Sequence, residues 1–344
     1  MKRILVILTG GTISMVRNPQ TNALHPADVD TFRAFVPELF AGPMQVDMIP
    51  FNPLIDSSDI SPEVWVRLAT GISSHYDAYD GFVVLHGTDT MSYTASALSF
   101  MLRNLSKPVV FTGSQLPVGV MRSDAKENML TAVEIAAAVD AGGRPMVPEV
   151  CVFFEESLFR GNRTTKKNAE HFEAFDSFNY PSLAKAGVHI TYRPHLIHYP
   201  ETNEGLQTLT RLNTDVAVLK LFPGIQENVV RAVLTTPSLK GVVLETYGSG
   251  NAPSAEWLYK ALKEATDAGI IIVNKTQCSQ GSVDMGQYEV AQNLLHAGVL
   301  SGYDITTEAL LTKMMVLLGE YGSDRERIKR LIQAPLAGEL TRKN

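Results

Sequence analysis

Short, wholly apolar runs recur along the chain, each followed by a cluster of glycine, hydroxyl and acidic residues. Lys2-Arg3-Ile4-Leu5-Val6-Ile7-Leu8 leads into Thr9-Gly10-Gly11-Thr12, and Gly81-Phe82-Val83-Val84-Leu85 leads into His86-Gly87-Thr88-Asp89-Thr90. Pro108-Val109-Val110-Phe111 runs into Thr112-Gly113-Ser114-Gln115, and residues 150–154, 215–219, 241–244 and 269–273 repeat the apolar theme. Runs this short, with no apolar–polar alternation, predict strands buried on both faces, as in a parallel sheet. Helix-period segments separate them. Ser61-Pro62-Glu63 offers an N-cap, a proline at the first helical position and an acid in the first turn, ahead of Val64, Leu68 and Ile72 on one face. A second helix is predicted from about 123 to 139, with Met129, Val133, Ile135 and Ala136 inward. Strand and helix alternating in this way predict an α/β fold with the parallel sheet covered on both sides.

The pattern lapses twice. From Ser14 to His25 the chain is polar and aperiodic, too long for a simple strand-to-helix connection, which predicts a mobile and functional loop. From 191 to 213 prolines, asparagines and glycine interrupt any period, which predicts a linker between a larger domain over 1–190 and a smaller one over 214–344. The tail predicts two helices, over 307–318 and 323–332.

The formal charge of −6 leaves no basic footprint, so no nucleic-acid partner is expected. Cys151 and Cys278 are the only cysteines and form no framework of paired thiols, which suits a reducing compartment. Met1-Lys2-Arg3 resembles the start of a signal peptide, but the apolar run after it stops after five residues. No run approaches the ~18 apolar residues of a membrane span, so a cytoplasmic protein with no membrane partner is expected.

Several residues are candidates for chemistry, each with an ordinary alternative. Thr12, after two glycines that let the backbone approach a ligand closely, is a candidate nucleophile; a phosphate-binding or merely tight turn is the alternative. Neither the P-loop nor the dinucleotide glycine pattern is present. Thr88 and Asp89 offer a hydroxyl and a carboxylate to a substrate ammonium or a lysine, or else Asp89 or Thr90 simply caps the next helix. In Arg160-Gly161-Asn162-Arg163-Thr164-Thr165-Lys166 the cations suit a carboxylate, or Lys166 a proton relay, while a solvated loop is the usual fate of such a run. Asp56-Ser57-Ser58-Asp59 suits a carboxylate ahead of a helix, or plain turn chemistry. His195 and His198 lack companions at metal-ligand spacing, and no G-x-S-x-G elbow occurs, so no metal and no cofactor are expected.

Thr9-Gly10-Gly11-Thr12-Ile13 and Leu85-His86-Gly87-Thr88-Asp89-Thr90-Met91 together resemble the two signatures of bacterial-type L-asparaginases. Further segments along the whole chain are similar to the cytoplasmic type I branch. They include Asp56 to Asp59, Phe111 to Gln115, Arg160 to Lys166, Tyr247-Gly248-Ser249-Gly250-Asn251-Ala252-Pro253 and Asn274-Lys275-Thr276-Gln277-Cys278. The resemblance implies a flavodoxin-like second domain and hydrolysis of L-asparagine to aspartate and ammonia by double displacement. Carried over residue by residue, it makes Thr12 the nucleophile and Thr88, Lys166 and Asp89 the relay that activates it or the water. Asp56, Ser57, Ser58 and Asp89 would grip the α-carboxylate and α-ammonium. The Ser114 carbonyl would accept from the amide nitrogen, and the Thr88 N–H would donate to the oxyanion. Homodimers or homotetramers with sites near the subunit interface are also implied, Asn251 being the residue that would reach a neighbour's site.

Two positions depart from the family. The loop tyrosine near the nucleophile is matched by Leu24, with Tyr192 or Tyr247 as conceivable substitutes. An arginine of the asparagine effector site near the counterpart of Cys278 is matched by Glu245, whose charge would repel the effector's carboxylate, so that response is not expected. Three rivals remain open: a mixed asparaginase–glutaminase, a non-catalytic amino-acid sensor, and an ammonia-releasing amidotransferase subunit. The last normally carries an extra N-terminal domain, whereas here the first strand begins at residue 2.

Overall fold

The first apolar run forms strand β1 (Arg3–Leu8), which pairs in parallel on one side with β2 (Gln45–Pro50) and on the other with β3 (Gly81–Leu85). The computed structural model describes residues 1–17, 24–200, 204–285, 289–322 and 324–342. It divides into two units, Met1–Leu209 and Thr210–Asn344.

In the first unit, β3 pairs in parallel with β4 (Val109–Thr112), and β4 with β5 (Val150–Phe154). Three antiparallel strands extend that edge: β6 (Ser157–Arg160), β7 (Ala184–Ala186) and β8 (Ile190–Tyr192). The order is β8-β7-β6-β5-β4-β3-β1-β2. Alternate side chains explain the unbroken apolar runs. Ile4, Val6, Leu8, Val83, Leu85 and Val110 share a core with Met129 and Val133 of the helix Ala125–Ala137. Leu5, Ile7, Phe82, Val84, Val109 and Phe111 point the other way and are equally buried. Truncating a ring such as Phe111 here costs about 3–5 kcal/mol.

The parallel part of the sheet matches the expectation, whereas the antiparallel edge and β2 do not follow from single runs. Three further differences have physical causes. The helix opened by Ser61 spans Pro62–Ser74, but the Ser61 hydroxyl donates to Glu63 (2.6 Å) instead of capping. The stretch expected as a mobile loop opens and closes in an antiparallel hairpin of Met15–Arg17 with Leu24–Pro26; residues 18–23 between them, and the side chain of Leu24, lie outside the described residues. Of the stretch 191–213 expected as linker, the described residues up to Leu209 fall within the first unit. Ile190–Tyr192 is a sheet strand, Ile197 is buried, and Gln207–Thr208 pairs with Leu102–Arg103. Pro194 opens the single helical turn Pro194–Leu196 that follows the strand Ile190–Tyr192.

The second unit has a parallel sheet of β9 (Val216–Lys220), β10 (Gly241–Thr246), β11 (Ile271–Thr276) and β12 (Leu300–Ser301). Its order is sequential, β9-β10-β11-β12. Helices Glu227–Leu234, Glu256–Asp267 and Glu289–His296 contribute to its core, with Val230, Leu258, Leu262 and Leu294 against Leu219, Val242, Leu244 and Ile272. The tail forms Thr307–Tyr321 and Arg325–Ile332. Inside it Lys313 and Glu339 make an ion pair in which both side chains are fully buried. Lys313 also donates to the carbonyls of Ile332 (2.7 Å) and Ala334 (2.6 Å), and Glu339 accepts from the N–H groups of Leu336 and Ala337. The final turns are thereby tied to the preceding helix.

Candidate active site

In the first sheet the chain moves from β1 outward to β2 and then crosses back to β3, so the strand order reverses at β1. Open α/β sheets bind ligands at the carboxyl ends of strands flanking such a reversal. The segments that follow β2, β1, β3 and β4 there carry Asp56–Ser58, Thr12, Thr88–Asp89 and Ser114.

Glycine sets how closely these segments meet. Gly11 has φ of 80°, and a Cβ on it would sit 2.4 Å from the Gly87 nitrogen. A Cβ on Gly87 would meet the Ser57 hydroxyl at 2.5 Å, and one on Gly113 the His86 carbonyl at 2.4 Å. Backbone therefore touches backbone across three strand ends, which no side chain would permit. Thr12 is half-buried and opens a single helical turn, Thr12–Ser14, closed by Ser14 N–H and hydroxyl bonds to the Gly11 carbonyl.

The expected lysine arrives from further along the chain. Lys166 Nζ donates to Thr88 Oγ1 at 2.8 Å and to Asp89 Oδ1 at 2.6 Å. Its side chain is 17% exposed and that of Asp89 64%. Asp89 is thus ion-paired and caps nothing. Thr90 stands at the N-cap of the helix Met91–Met101, but its hydroxyl donates to the Ser57 carbonyl at 2.6 Å. The capping alternative gives way to a link between two site segments. Asp56 accepts from the Ser58 N–H (2.9 Å) and hydroxyl (2.8 Å), and these bonds hold its carboxyl below the usual range. Ser57 is buried, while Asp56 and Ser58 are exposed.

The Arg160–Lys166 run is not the solvated loop such runs usually form. Arg160 is buried and pairs with buried Glu149 (2.6 Å), donates to the Leu196 carbonyl (2.8 Å) and lies over the Tyr180 ring. Glu149 also accepts from the His198 N–H, so His198 takes part through its backbone. These contacts anchor the turn Gly161–Arg163 from which Lys166 extends. An isolated buried cation would be costly, so the pairing is what allows the run inside.

Tyr192 does not serve the site. It lies on β8, with five strands between it and β1, roughly 29 Å away at sheet spacing. Its phenol is buried and its pKa pushed up by that burial. Tyr247 and Asn251 belong to the second unit, where their backbones bond reciprocally at 2.8 Å. Glu245, also there, is buried at the end of β10, accepts from the Thr307 hydroxyl (2.6 Å) and lies 3.6 Å from Lys220 Nζ.

Sequence patterns alone did not single out the supports behind the site. Asp124 accepts from the N–H groups of Gln115 (2.9 Å) and Leu116 (3.1 Å). Buried Asn128 donates to the Gly113 carbonyl (3.0 Å) and accepts from the Glu155 N–H (3.0 Å). Their spacing of four at the start of a helix was the available signal. His86 is fully buried, and burial lowers its pKa to about 4.

Comparison with known proteins places the chain in a family. The family model "Asparaginase, N-terminal" matches residues 3–198, and "Glutaminase/Asparaginase C-terminal domain" matches residues 215–332. The chain is 45% identical to L-asparaginase 1 of Escherichia coli K12, covering 99% of this chain and 98% of that protein. It is 41% identical to the 60 kDa lysophospholipase of Mus musculus, covering 99% of this chain but 63% of that protein. The crystal structure of L-asparaginase I from Vibrio cholerae superposes with a TM-score of 0.89 at 39% identity, over 99% of each chain. The matched models cover both units and the similarity runs end to end: the chain belongs to the asparaginase family.

Proposed function

We propose that the protein hydrolyses the side-chain amide of L-asparagine, giving L-aspartate and ammonia through an acyl-enzyme on Thr12. The observation that carries this reading is the meeting of Lys166 with Thr88 and Asp89, in a first unit where Gly11 touches Gly87. Binding alone does not call for a second hydroxyl–amine–carboxylate set beside a presented threonine.

In this mechanism the Thr12 hydroxyl oxygen attacks the side-chain carbonyl carbon. Its proton passes through the Thr88–Lys166–Asp89 group to the amide nitrogen, the C–N bond breaks and ammonia leaves. Water then attacks the ester, the same group takes its proton, and aspartate departs with the Thr12 hydroxyl restored. A threonine hydroxyl is a weak nucleophile without such a relay. The Thr88 N–H donates to the oxyanion, a contact of a kind worth about 3 kcal/mol of barrier. The Ser114 carbonyl accepts from the leaving nitrogen. Ser57 and Ser58 hold the α-carboxylate, and Asp56 and Asp89 the α-ammonium. Asn251 of a neighbouring copy completes the site in a homodimer or homotetramer, and the protein works in the cytoplasm. With Glu245 buried and bonded to Thr307, asparagine does not act as an effector in the second unit.

Glutamine is longer by one methylene, a difference a pocket weighs at about 1–3 kcal/mol, so some glutaminase activity accompanies the main one. Ammonia release from asparagine and from glutamine, by the wild type and Thr12→Ala, tests the proposal. Asparagine is expected as the better substrate and Thr12→Ala as inactive. Wild-type turnover in Thr12→Ala would reject the mechanism, and no ammonia from either amide would reject the activity.

A further inference from the structure

Two of the groups assigned to the reacting amide belong to the backbone, and each shares its peptide unit with an atom gripped from behind. The Gly87–Thr88 peptide is held on its carbonyl side. His86 Nδ1 lies 2.7 Å from the Gly87 oxygen, and His86 Nε2 lies 3.0 Å from the Thr94 hydroxyl, which accepts from Trp65 Nε1 at 3.1 Å. The roles in this chain follow from its two ends. An indole only donates and a carbonyl only accepts, so the imidazole carries its proton on Nδ1 and accepts from Thr94 on Nε2. The ring is neutral and fully buried.

The Ser114–Gln115 peptide is held on the opposite side. The Gln115 N–H lies against both Asp124 oxygens (2.9 and 3.1 Å), and Leu116 N–H joins them at 3.1 Å. Asn128 steadies Asp124 (3.3 Å) and ties it to the Gly113 carbonyl. In a planar trans peptide the C=O and N–H point in opposite directions. Gripping the Gly87 oxygen therefore aims the Thr88 N–H, and gripping the Gln115 N–H aims the Ser114 oxygen. Among the described residues neither the Thr88 N–H nor the Ser114 oxygen has a hydrogen-bond partner.

We propose that His86 and Asp124 are positioning residues that fix two peptide units of opposite polarity around the reacting carboxamide. This rests on the asparaginase reading above. The peptide aimed by His86 presents a donor to the amide oxygen, and the peptide aimed by Asp124 presents an acceptor to the amide nitrogen. Each grip also polarises the peptide, so the donor and the acceptor are both strengthened. The amide can then bind only one way round, with its NH2 toward Ser114. The product carboxylate, lacking any N–H, places an oxygen against the Ser114 carbonyl and is disfavoured, which assists its release.

The test compares asparagine with the β-methyl ester of aspartate, which has the same carbonyl and no N–H, in Asp124→Asn, His86→Leu and His86→Asn. Asp124→Asn is expected to lower kcat/KM for asparagine by about tenfold or more, the effect of one misdirected hydrogen bond, and for the ester by no more than about threefold. Inhibition by aspartate is expected to strengthen in the same variant. His86→Leu is expected to lower kcat on amide and ester alike, because the oxyanion forms on both, with KM little changed. His86→Asn, which keeps a donor near the Nδ1 position, is expected to recover most of that loss, and it stands as the test if the leucine variant does not fold. Equal losses on amide and ester in Asp124→Asn, or no difference in kcat between His86→Asn and a folded His86→Leu, would overturn the inference. Neither result would touch the asparaginase reading, which fails only on the wild-type and Thr12→Ala measurements.

Discussion

Both units end their parallel strands in small polar residues, yet those residues are used in opposite ways. In the second unit they satisfy one another. Thr246 donates to Asn274 (2.7 Å), Asn274 donates to the Gly250 carbonyl (3.0 Å), and the Gln277 amide takes the carbonyls of Leu221 (2.6 Å) and Glu245 (2.9 Å). In the first unit they converge from different strands. Lys166 draws Thr88 and Asp89 together, Thr90 ties them to Ser57, and glycines at 11, 87 and 113 remove the side chains that would keep the segments apart. The sheets differ in the same sense, one reversing its strand order at β1 and the other running sequentially. Polar strand ends are thus ordinary; their meeting at a reversal of strand order is what distinguishes the proposed site.

The contrast breaks most severely at Lys166. Lys166→Met is expected to lower kcat for asparagine by about 10²–10⁴-fold, the span of general acid–base contributions, while circular dichroism and the melting temperature change little. A variant within tenfold of wild type would remove the relay from the account.

Glu339→Gln strikes the second unit instead. Breaking a fully buried pair costs about 3–5 kcal/mol, read as a lower urea midpoint, with kcat per folded molecule unchanged. Burial raises the Glu339 carboxyl, but Lys313 and two N–H groups outweigh it and hold the pKa below its ordinary value. Its contribution is therefore present above the unfolded carboxyl range, about pH 4.3, and is lost as pH falls through the lower folded value. The variant should lack that part of the acid dependence.

His86 gives a pH signature of the opposite origin. Its folded pKa of about 4 lies below the unfolded value, so between about pH 6.5 and 4 the unfolded chain binds a proton that the folded one refuses. Stability should fall across that window by on the order of 3 kcal/mol, and His86→Asn should flatten the slope. A smaller effect is expected at Asp56. Asp56→Asn should raise KM for asparagine by about tenfold with little change in kcat, one charge-assisted contact being lost.

Much of this was legible in the chain, for a physical reason. Strands buried on both faces leave unbroken apolar runs, so β1, β3, β4 and β5 of the first unit and β10 and β11 of the second announce themselves; β9 has an apolar run too, although it is an edge strand with Val218 exposed. The strands at or near the edges of the first unit's sheet do not. β2 carries half-buried Asp47 between prolines, and β7 and β8 are three residues each, defined by partners rather than by pattern. The glycine–hydroxyl clusters after β1 and β3 were equally plain, and with them Thr12 and Thr88. What a linear reading could not decide was which alternative each cluster would take. Asp89 and Lys166 are 77 residues apart, and only folding turns a possible cap and a possible loop cation into an ion pair. Asp124 and Asn128 left only their spacing, because what they hold lies behind the site.

Quenching the working enzyme in acid and weighing its peptides tests the central claim most directly. With asparagine present, the peptide spanning residues 9–13 should carry an added aspartyl group in ester linkage on Thr12, and the adduct should be missing from Thr12→Ala. An aspartyl adduct on any other residue, or one that persists in Thr12→Ala, would contradict the assignment.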